Sequence, residues 1–207
     1  HDGLSVDDIQ EPIDRSWMLR LCEMVDQSTR ALDRFDYAVA LDHIEGVFWV
    51  FCDHYLELVK GRAYRETNLV KKRSALATLY LTLKTFVLCF APYLPYMTEE
   101  ISSWSFLADA ESGSVHLQAW PKVADLSGNG DPQYLEVAID ILTQIRGEKT
   151  ANQKSLNFPV SEVIVRCDAS FESILVDVRE DVVRAGSIEK WTVEVAQMDK
   201  PVIEMVF

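Results

Sequence analysis

Hydrophobic positions in the first half of the chain recur every three or four residues, which is the spacing of an amphipathic helix. A polar segment, residues 1–13, precedes the first stripe, and Asp14 is the expected N-cap of the helix that carries it. The stripe consists of Trp17, Leu21, Met24, Val25, Ser28, Ala31 and Leu32. This pattern predicts a helix with one buried face.

A second helix is expected from Tyr37 to about Lys60, with Asp36 as its cap and Gly61 as its end. Its apolar positions widen into an almost all-round band, which is typical of a helix in the centre of a bundle. The band comprises Ala40, Ile44, Val47, Phe48, Phe51, Tyr55 and Leu58.

A third helix is expected from about Asn68 to Ala91, ended by Pro92 and Pro95, because proline removes a backbone donor and restricts the residue before it. Thr98 is the expected cap of a short fourth helix. The predicted buried face of the third helix comprises Leu76, Leu79, Leu83, Phe86, Val87 and Phe90.

The next segment, residues 108–131, is predicted to be a loop with at most one short extended piece, SVHLQAWP. Asp131 followed by Pro132 is a cap with proline at the first helical position, so a fifth helix should begin there and end near Gly147.

After the fifth helix the hydrophobic period changes from 3.6 to two. Strands are predicted at 160–167, 188–195 and 201–207, with a helix around 171–185. The expected fold is mainly α, a helical bundle followed by a small α/β unit with a three-stranded sheet. The predicted parts are an N-terminal arm at 1–13, a bundle at 14–125, and a C-terminal helix with the α/β subdomain at 126–207.

Length and composition indicate a folded globular chain. It has 207 residues, 48% hydrophobic residues and a formal charge of -13. We expect no membrane association, since no apolar run approaches the ~20 residues that cross a bilayer. The first residues lack the features of a signal peptide, and we expect an excised fragment of a cytoplasmic protein.

The four cysteines, Cys22, Cys52, Cys89 and Cys167, lie far apart and mostly in apolar stretches. Two disulfides are one interpretation, and free thiols in a reducing compartment are the favoured one. The histidines show no metal-ligand spacing near these cysteines, so no metal site is predicted.

Positive charge is concentrated between Lys60 and Arg73, which we call the basic corner. It carries six cations and Glu66 as its one carboxylate, a local charge of +5 that leaves -18 on the rest of the chain. One interpretation is a polyanion held at this place and repelled elsewhere. The other is a helix–helix corner whose cations pair with nearby carboxylates, and charge alone favours this second interpretation.

Motifs for catalysis are not found. The sequence lacks a phosphate-binding glycine loop, and HIEG at His43 lies mid-helix without a second histidine. Trp17, Trp49 and Trp104 lie at helical spacing on apolar faces, so core packing is favoured over base stacking. We therefore expect no catalytic residues in this chain.

Several segments together resemble class I aminoacyl-tRNA synthetases. DRSWMLRL (14–21) is similar to the start of an anticodon-binding helix in that family, and FAPYLPYMTEEISSW (90–104) and GSVHLQAWP (113–121) follow in the family's order. FCDHYLELVK (51–60) resembles the valine enzymes more than the isoleucine or leucine enzymes. Ser103 departs from the family pattern, and a helix that normally precedes the Asp14 helix has no counterpart here.

The resemblance implies an anticodon-binding bundle whose partners are the anticodon stem-loop of tRNA and the catalytic domain of the same polypeptide. ATP is then a cofactor of the parent enzyme, and no cofactor is expected in this chain. The alternatives are the same domain of an isoleucine–tRNA ligase and a helical protein-interaction module that binds no RNA. The candidate RNA contacts are Lys60, Arg62, Arg65, Lys71, Lys72, Arg73, Arg20, Arg146 and Lys149.

The missing helix implies that part of the bundle core lacks its cover. Exposed apolar side chains are predicted at Trp17, Leu21, Met24, Leu79 and Leu83. We expect either an ordered N-terminal arm that folds over the bundle through Leu4, Val6, Ile9 and Ile13, or self-association through the exposed face.

Overall fold

The structure is a computed structural model that describes residues 3–104, 113–126 and 129–207. It shows a helical bundle followed by a small α/β unit, as predicted. The helices are α1 (Pro12–Asp33), α2 (Tyr37–Val50), α3 (Leu56–Arg65), α4 (Leu69–Phe90), α5 (Pro95–Ser103), α6 (Val123–Leu126), α7 (Pro132–Ala151) and α8 (Glu172–Gly186). The strands are β1 (Val160–Cys167), β2 (Ile188–Val195) and β3 (Val202–Val206).

The start of α1 differs from the prediction at Asp14. Pro12 takes the first helical position and Glu11 is the N-cap, so Asp14 lies inside the first turn. Its side chain is fully buried, where it binds groups from other helices and does not cap its own.

The predicted helix from Tyr37 to Lys60 is one continuous helical rod with a π-helical turn, Phe51–Tyr55, between α2 and α3. Asp36 caps it as expected, accepting a hydrogen bond from the Val39 N–H. The prediction that Gly61 ends the rod is wrong, because α3 continues to Arg65. A Cβ at position 61 would lie 3.0 Å from Cδ of Arg184 on α8, so glycine lets the two helices approach closely.

Non-glycine residues in the left-handed region follow α1 and α7. Phe35, with φ 59°, follows α1, and the N–H groups of Phe35 and Asp36 donate to Leu32 and Ala31 in the double hydrogen bond of a Schellman motif. Gln153, with φ 56°, ends α7 in the same region, so the prediction that Gly147 ends this helix is wrong.

Helix α4 begins as predicted, with the Asn68 side chain accepting from the backbone N–H groups of Val70 and Lys71. Its buried face differs from the prediction, because Leu76, Leu79 and Leu83 are only half-buried. Small residues take the buried positions, and α4 can therefore pack closely against its neighbours. They are Ser74, Ala75, Ala77, Thr78, Thr82, Thr85 and Cys89 together with Phe86 and Val87.

Among the described residues one helix, α4, is long and apolar enough by composition to cross a membrane, and 56% of its most apolar window is buried in the fold. Polar side chains on its buried face bond within the bundle: the Thr78 hydroxyl donates to the Ser74 carbonyl, and Thr82 accepts from the Trp17 indole. These contacts are those of a core helix.

The prediction that Thr98 caps α5 is wrong. Leu94 is the N-cap and Pro95 the first helical residue, while the Thr98 hydroxyl donates back to the Leu94 carbonyl at 2.9 Å. The predicted extended piece after α5 is a 3₁₀ turn at Val115–Leu117. Residues 108–112 and 127–128 of the predicted loop lie outside the described residues.

The sheet has the order β2-β1-β3, with β1 parallel to β2 and antiparallel to β3. Asp131 caps α7 as predicted, and α8 forms the crossover between the parallel strands. Val163 and Val165 in the central strand are fully buried. The opposite face is polar, with Arg166 paired to both Glu194 and Glu204.

The core centres on Trp17, whose ring stacks on Tyr55 at 4.7 Å and lies 5.5 Å from Phe51. Trp17, Leu21 and Met24 are at most 1% exposed, so the prediction that they form an exposed patch is wrong.

The N-terminal arm, from Gly3 to the start of α1, lies over the start of α4. This is one of the two arrangements predicted from the sequence. Ile9 and Ile13 are buried, and the Ser74 hydroxyl accepts from the backbone N–H groups of Gln10 and Glu11. Self-association stays a prediction.

Candidate nucleic-acid interface

Arg62, one of the six cations of the basic corner, is buried. Its side chain is 1% exposed, its Nη1 and Nη2 donate to the two Asp14 carboxylate oxygens at 2.7 Å each, and its Nε donates to Asp181 at 2.8 Å. A phosphate cannot reach this guanidinium, so the assignment of Arg62 as an RNA contact is wrong. Its carboxylate partners lie 48 and 119 residues away in sequence.

The cluster around Arg62 joins the bundle to α8. Asp14 also accepts from the Tyr55 and Ser74 hydroxyls, both at 2.6 Å, whereas Asp181 accepts only from Arg62 within the described residues. Burial opposes the charge of Arg62, yet Asp14 and Asp181 hold its pKa above the usual range. Burial raises the pKa of Asp181 to about 6 against the opposing effect of Arg62.

Other cations of the basic corner are neutralised by nearby carboxylates. Lys71 pairs with Glu180 of α8 at 2.7 Å, and Arg73 pairs with Asp8 of the arm at 2.9 Å. Lys60 pairs with Glu57 at 2.6 Å. Of the six cations, Arg65 and Lys72 form no ion pair with the described part of the chain. The prediction that local carboxylates neutralise this corner is confirmed for the four paired residues.

An outward stripe runs along α2, the π turn and α3. Its exposed positions are Asp42, Glu45, Gly46, Trp49, Asp53, Leu56, Lys60 and Tyr64. The α2 half carries carboxylates, and the α3 half carries Lys60 and Tyr64, followed by Arg65. We call the part from Trp49 to Arg65 the outer stripe.

The outer stripe presents aromatic rings to solvent. Trp49 is 58% exposed and Tyr64 is 81% exposed. Core packing is confirmed for Trp17 but is wrong for Trp49 and for Trp104, which is 50% exposed. Trp49 lies on the same face of α2 as Asp42 and Glu45 at ordinary helical spacing, and this is the sequence signal that could have placed it outward.

The remaining candidate contacts lie on α1 and α7. Lys149 is fully buried, and its Nζ donates to the carbonyls of Leu156 and Gly186 at 2.7 and 2.8 Å. The prediction that Lys149 is an open RNA-binding cation is therefore wrong, because its ammonium holds the β1 entry against the end of α8. Burial, and then Arg146, lowers the pKa of Lys149.

Arg146 is partly exposed and points toward the π turn. Its Nη1 donates to the Asp53 carbonyl at 2.6 Å, and its Nη2 lies 3.9 Å from the Glu57 carboxylate. Arg20 instead lines a groove of α1 and α7 that also contains Glu23 and Glu136. The structure thus brings Lys60 and Arg146 together and leaves Arg20 apart from them, beside carboxylates.

His54, in the π turn, was not predicted as a site residue. Its Nδ1 is buried and has no hydrogen-bond partner within the described residues. Burial, followed by Arg146, lowers the pKa of this histidine. Its sequence signal is weak, since a single histidine inside an apolar helix is ordinary.

The four cysteines are thiols that form no disulfide, as favoured from the sequence. Cys22, Cys89 and Cys167 are buried, and burial raises the pKa of Cys89 to about 12. Within residues 3–104, 113–126 and 129–207, no group of three or more metal-ligating side chains could hold a metal ion.

Comparison with known proteins gives a consistent result. A family model described as the anticodon-binding domain of tRNA ligase matches residues 14–164. The chain is 38% identical to a valine–tRNA ligase of Salinispora tropica over 93% of this chain and 24% of that protein. It is 38% identical to the Leifsonia xyli valine–tRNA ligase over 90% of this chain and 21% of that protein. The chain thus spans about a quarter of the length of these relatives.

Proposed function

The chain belongs to the family of anticodon-binding domains of tRNA ligases, and we propose that it binds the anticodon stem-loop of tRNA(Val) within a valine–tRNA ligase. The observation that carries this proposal is the family match over residues 14–164. The relatives named above are valine–tRNA ligases, which supports valine over isoleucine.

The outer stripe supports RNA binding because it combines the chemical groups that a single-stranded loop requires. Unstacked bases pack on exposed aromatic rings, and backbone phosphates pair with Lys and Arg. Trp49 and Tyr64 supply the rings, and Lys60 and Arg65 supply the charge. The acidic remainder of the molecule disfavours other placements of the same polyanion.

The parent enzyme would attach valine to tRNA in an ATP-dependent reaction at a catalytic domain of the same polypeptide. This chain would position the anticodon while the reaction takes place elsewhere, in the cytoplasm. A titration with tRNA(Val) and tRNA(Ile) transcripts tests the proposal. Tighter binding of tRNA(Val) is expected, and equal binding of both transcripts, or of neither, would contradict it.

Removing an aromatic ring from the outer stripe is expected to weaken tRNA binding. Trp49→Ala and Tyr64→Ala should each cost about 1–3 kcal/mol if one base stacks on each ring. Fluorescence anisotropy with the tRNA(Val) transcript measures the change. Tyr96→Ala is the matched control, since Tyr96 is 92% exposed on α5, away from the outer stripe. An equal loss in the Tyr96 variant would contradict a specific role for the stripe.

Removing the charge of the two unpaired cations of the basic corner tests whether they contact RNA phosphates. Arg65→Gln and Lys72→Gln should each reduce the log–log salt slope of tRNA binding by about 0.7. Their anticodon preference should not change, because phosphate contacts carry no base information. Lys122→Gln, outside the basic corner, is the control. Salt slopes equal to that of the unmodified chain would show that this corner does not contact RNA.

A further inference from the structure

A notch lies between the bundle and the α/β unit, beside the outer stripe. It has a volume of about 230 Å³ and is lined by α3, α7, the loop before β1 and the end of α8. Its polar lining residues are Glu57, Lys60, Arg146, Lys149 and Asn157. Three of these five were separate RNA-contact candidates in the sequence, and only the fold brings them to one place.

Lys149 is a buried charge without a counter-ion in the described part of the chain. Its Nζ has two carbonyl acceptors, the closer at 2.7 Å, and an ammonium has three N–H donors. Because Lys149 is 0% exposed, its charge acts on the notch through space and not by direct contact. A buried cation without a carboxylate partner favours an anion nearby, because isolated charge is costly to bury.

Arg146 and Lys60 add charge at the same notch. Arg146 uses one of its five donors on the Asp53 carbonyl, and its side chain is 23% exposed. The Lys60 side chain is 46% exposed and is paired with Glu57. Three cations against this one carboxylate leave the lining at a net +2.

The lining matches a phosphate group in chemistry. A phosphate accepts several charge-assisted hydrogen bonds at once, and guanidinium and ammonium groups are its usual donors. No aromatic ring lines the notch among the described residues, whereas the adjacent stripe offers Trp49 and Tyr64. Bases and backbone therefore have separate places on this surface.

We propose that the notch binds one backbone phosphate of RNA held on the outer stripe, with Lys60 and Arg146 as its direct partners and the buried charge of Lys149 behind them. The proposal rests on the proposed function. Glu57 acts against the phosphate, so its removal and the removal of a cation have opposite effects on affinity.

Salt-dependent binding of the tRNA(Val) transcript tests the notch. Arg146→Gln and Lys60→Gln should each reduce the salt slope by about 0.7 and weaken binding about fivefold at 0.1 M salt. Glu57→Gln should strengthen binding, a result that loss of structure would not produce. Lys190→Gln is the matched control, because Lys190 pairs with Glu162 on the sheet. Thermal unfolding of each variant verifies folding.

A second titration uses inorganic phosphate and follows the backbone amide of Asn157 by NMR. A shift that Arg146→Gln abolishes supports the notch. The unmodified chain could bind tRNA while Arg146→Gln and Lys60→Gln keep the same salt slope and affinity. In that case the notch proposal is overturned and the proposed function stands. If the unmodified chain does not bind tRNA, the proposed function is overturned. The notch proposal is then overturned as well, because it places a phosphate of bound RNA there.

Discussion

Arg62→Met is expected to destabilise the folded chain by about 3–5 kcal/mol near pH 7.5, because it leaves buried carboxylates without their cation. Asp14 is fully buried and Asp181 is 4% exposed. The Met side chain fills much of the vacated volume, so the loss arises mainly from uncompensated charge. Chemical denaturation measures the change in the free energy of unfolding.

The matched control is Arg65→Met, three residues later on the same helix but exposed and without an ion pair in the described residues. It should change the free energy of unfolding by no more than about 0.5 kcal/mol. The cost of Arg62→Met should shrink toward pH 5, because burial raises the pKa of Asp181 to about 6 and this carboxylate then binds a proton. Equal losses in the two variants would contradict the electrostatic role of the cluster.

Asp181 should make a contribution to stability that falls as pH rises between about 4 and 6. The folded pKa is raised to about 6 by burial, above the ordinary value of 3.8, so the folded state binds the proton more tightly than the unfolded state. For a raised pKa, the stabilisation is complete below the unfolded pKa and is lost as pH rises through the folded pKa. The change amounts to at most about 3 kcal/mol.

Other carboxylates have the opposite sign, so Asp181 must be isolated by difference. The pKa of Glu66 is lowered to about 2, chiefly by the Asn68 N–H and then by Arg184, and its stabilisation is lost only as pH falls toward that value. Asp181→Asn cannot ionise and can still accept a hydrogen bond from Arg62. Relative to this variant, the unmodified chain should lose stability between pH 4.5 and 7. A constant difference across this range would contradict the prediction.

Pairing within the basic corner bears on how the chain would bind RNA. The cluster at Arg62 and the Lys71–Glu180 pair fix α8 on the bundle, and Arg73 fixes the arm. These cations act inside the molecule, so few are left open. We therefore expect a modest salt slope and a larger share of affinity from aromatic stacking on the outer stripe.

Local signals in the sequence determined most secondary-structure elements. Asp36, Asn68 and Asp131 cap their helices as predicted, because a cap is a contact between a side chain and the backbone two or three residues later. The β1 and β2 strands lie at the predicted residues, since a period of two is visible in any short window. The family resemblance likewise depends on local motifs, and the comparison confirmed it.

Only the tertiary structure decided which cations are exposed and unpaired, and which are buried or paired within the fold. Burial of Arg62 depends on Asp14 and Asp181, which are distant in sequence and meet only because α1, α3 and α8 pack together. Gly61 lies inside a helix because α8 packs against it, although glycine locally favours a helix end. Each outcome depends on long-range packing, which a residue's sequence neighbours do not encode.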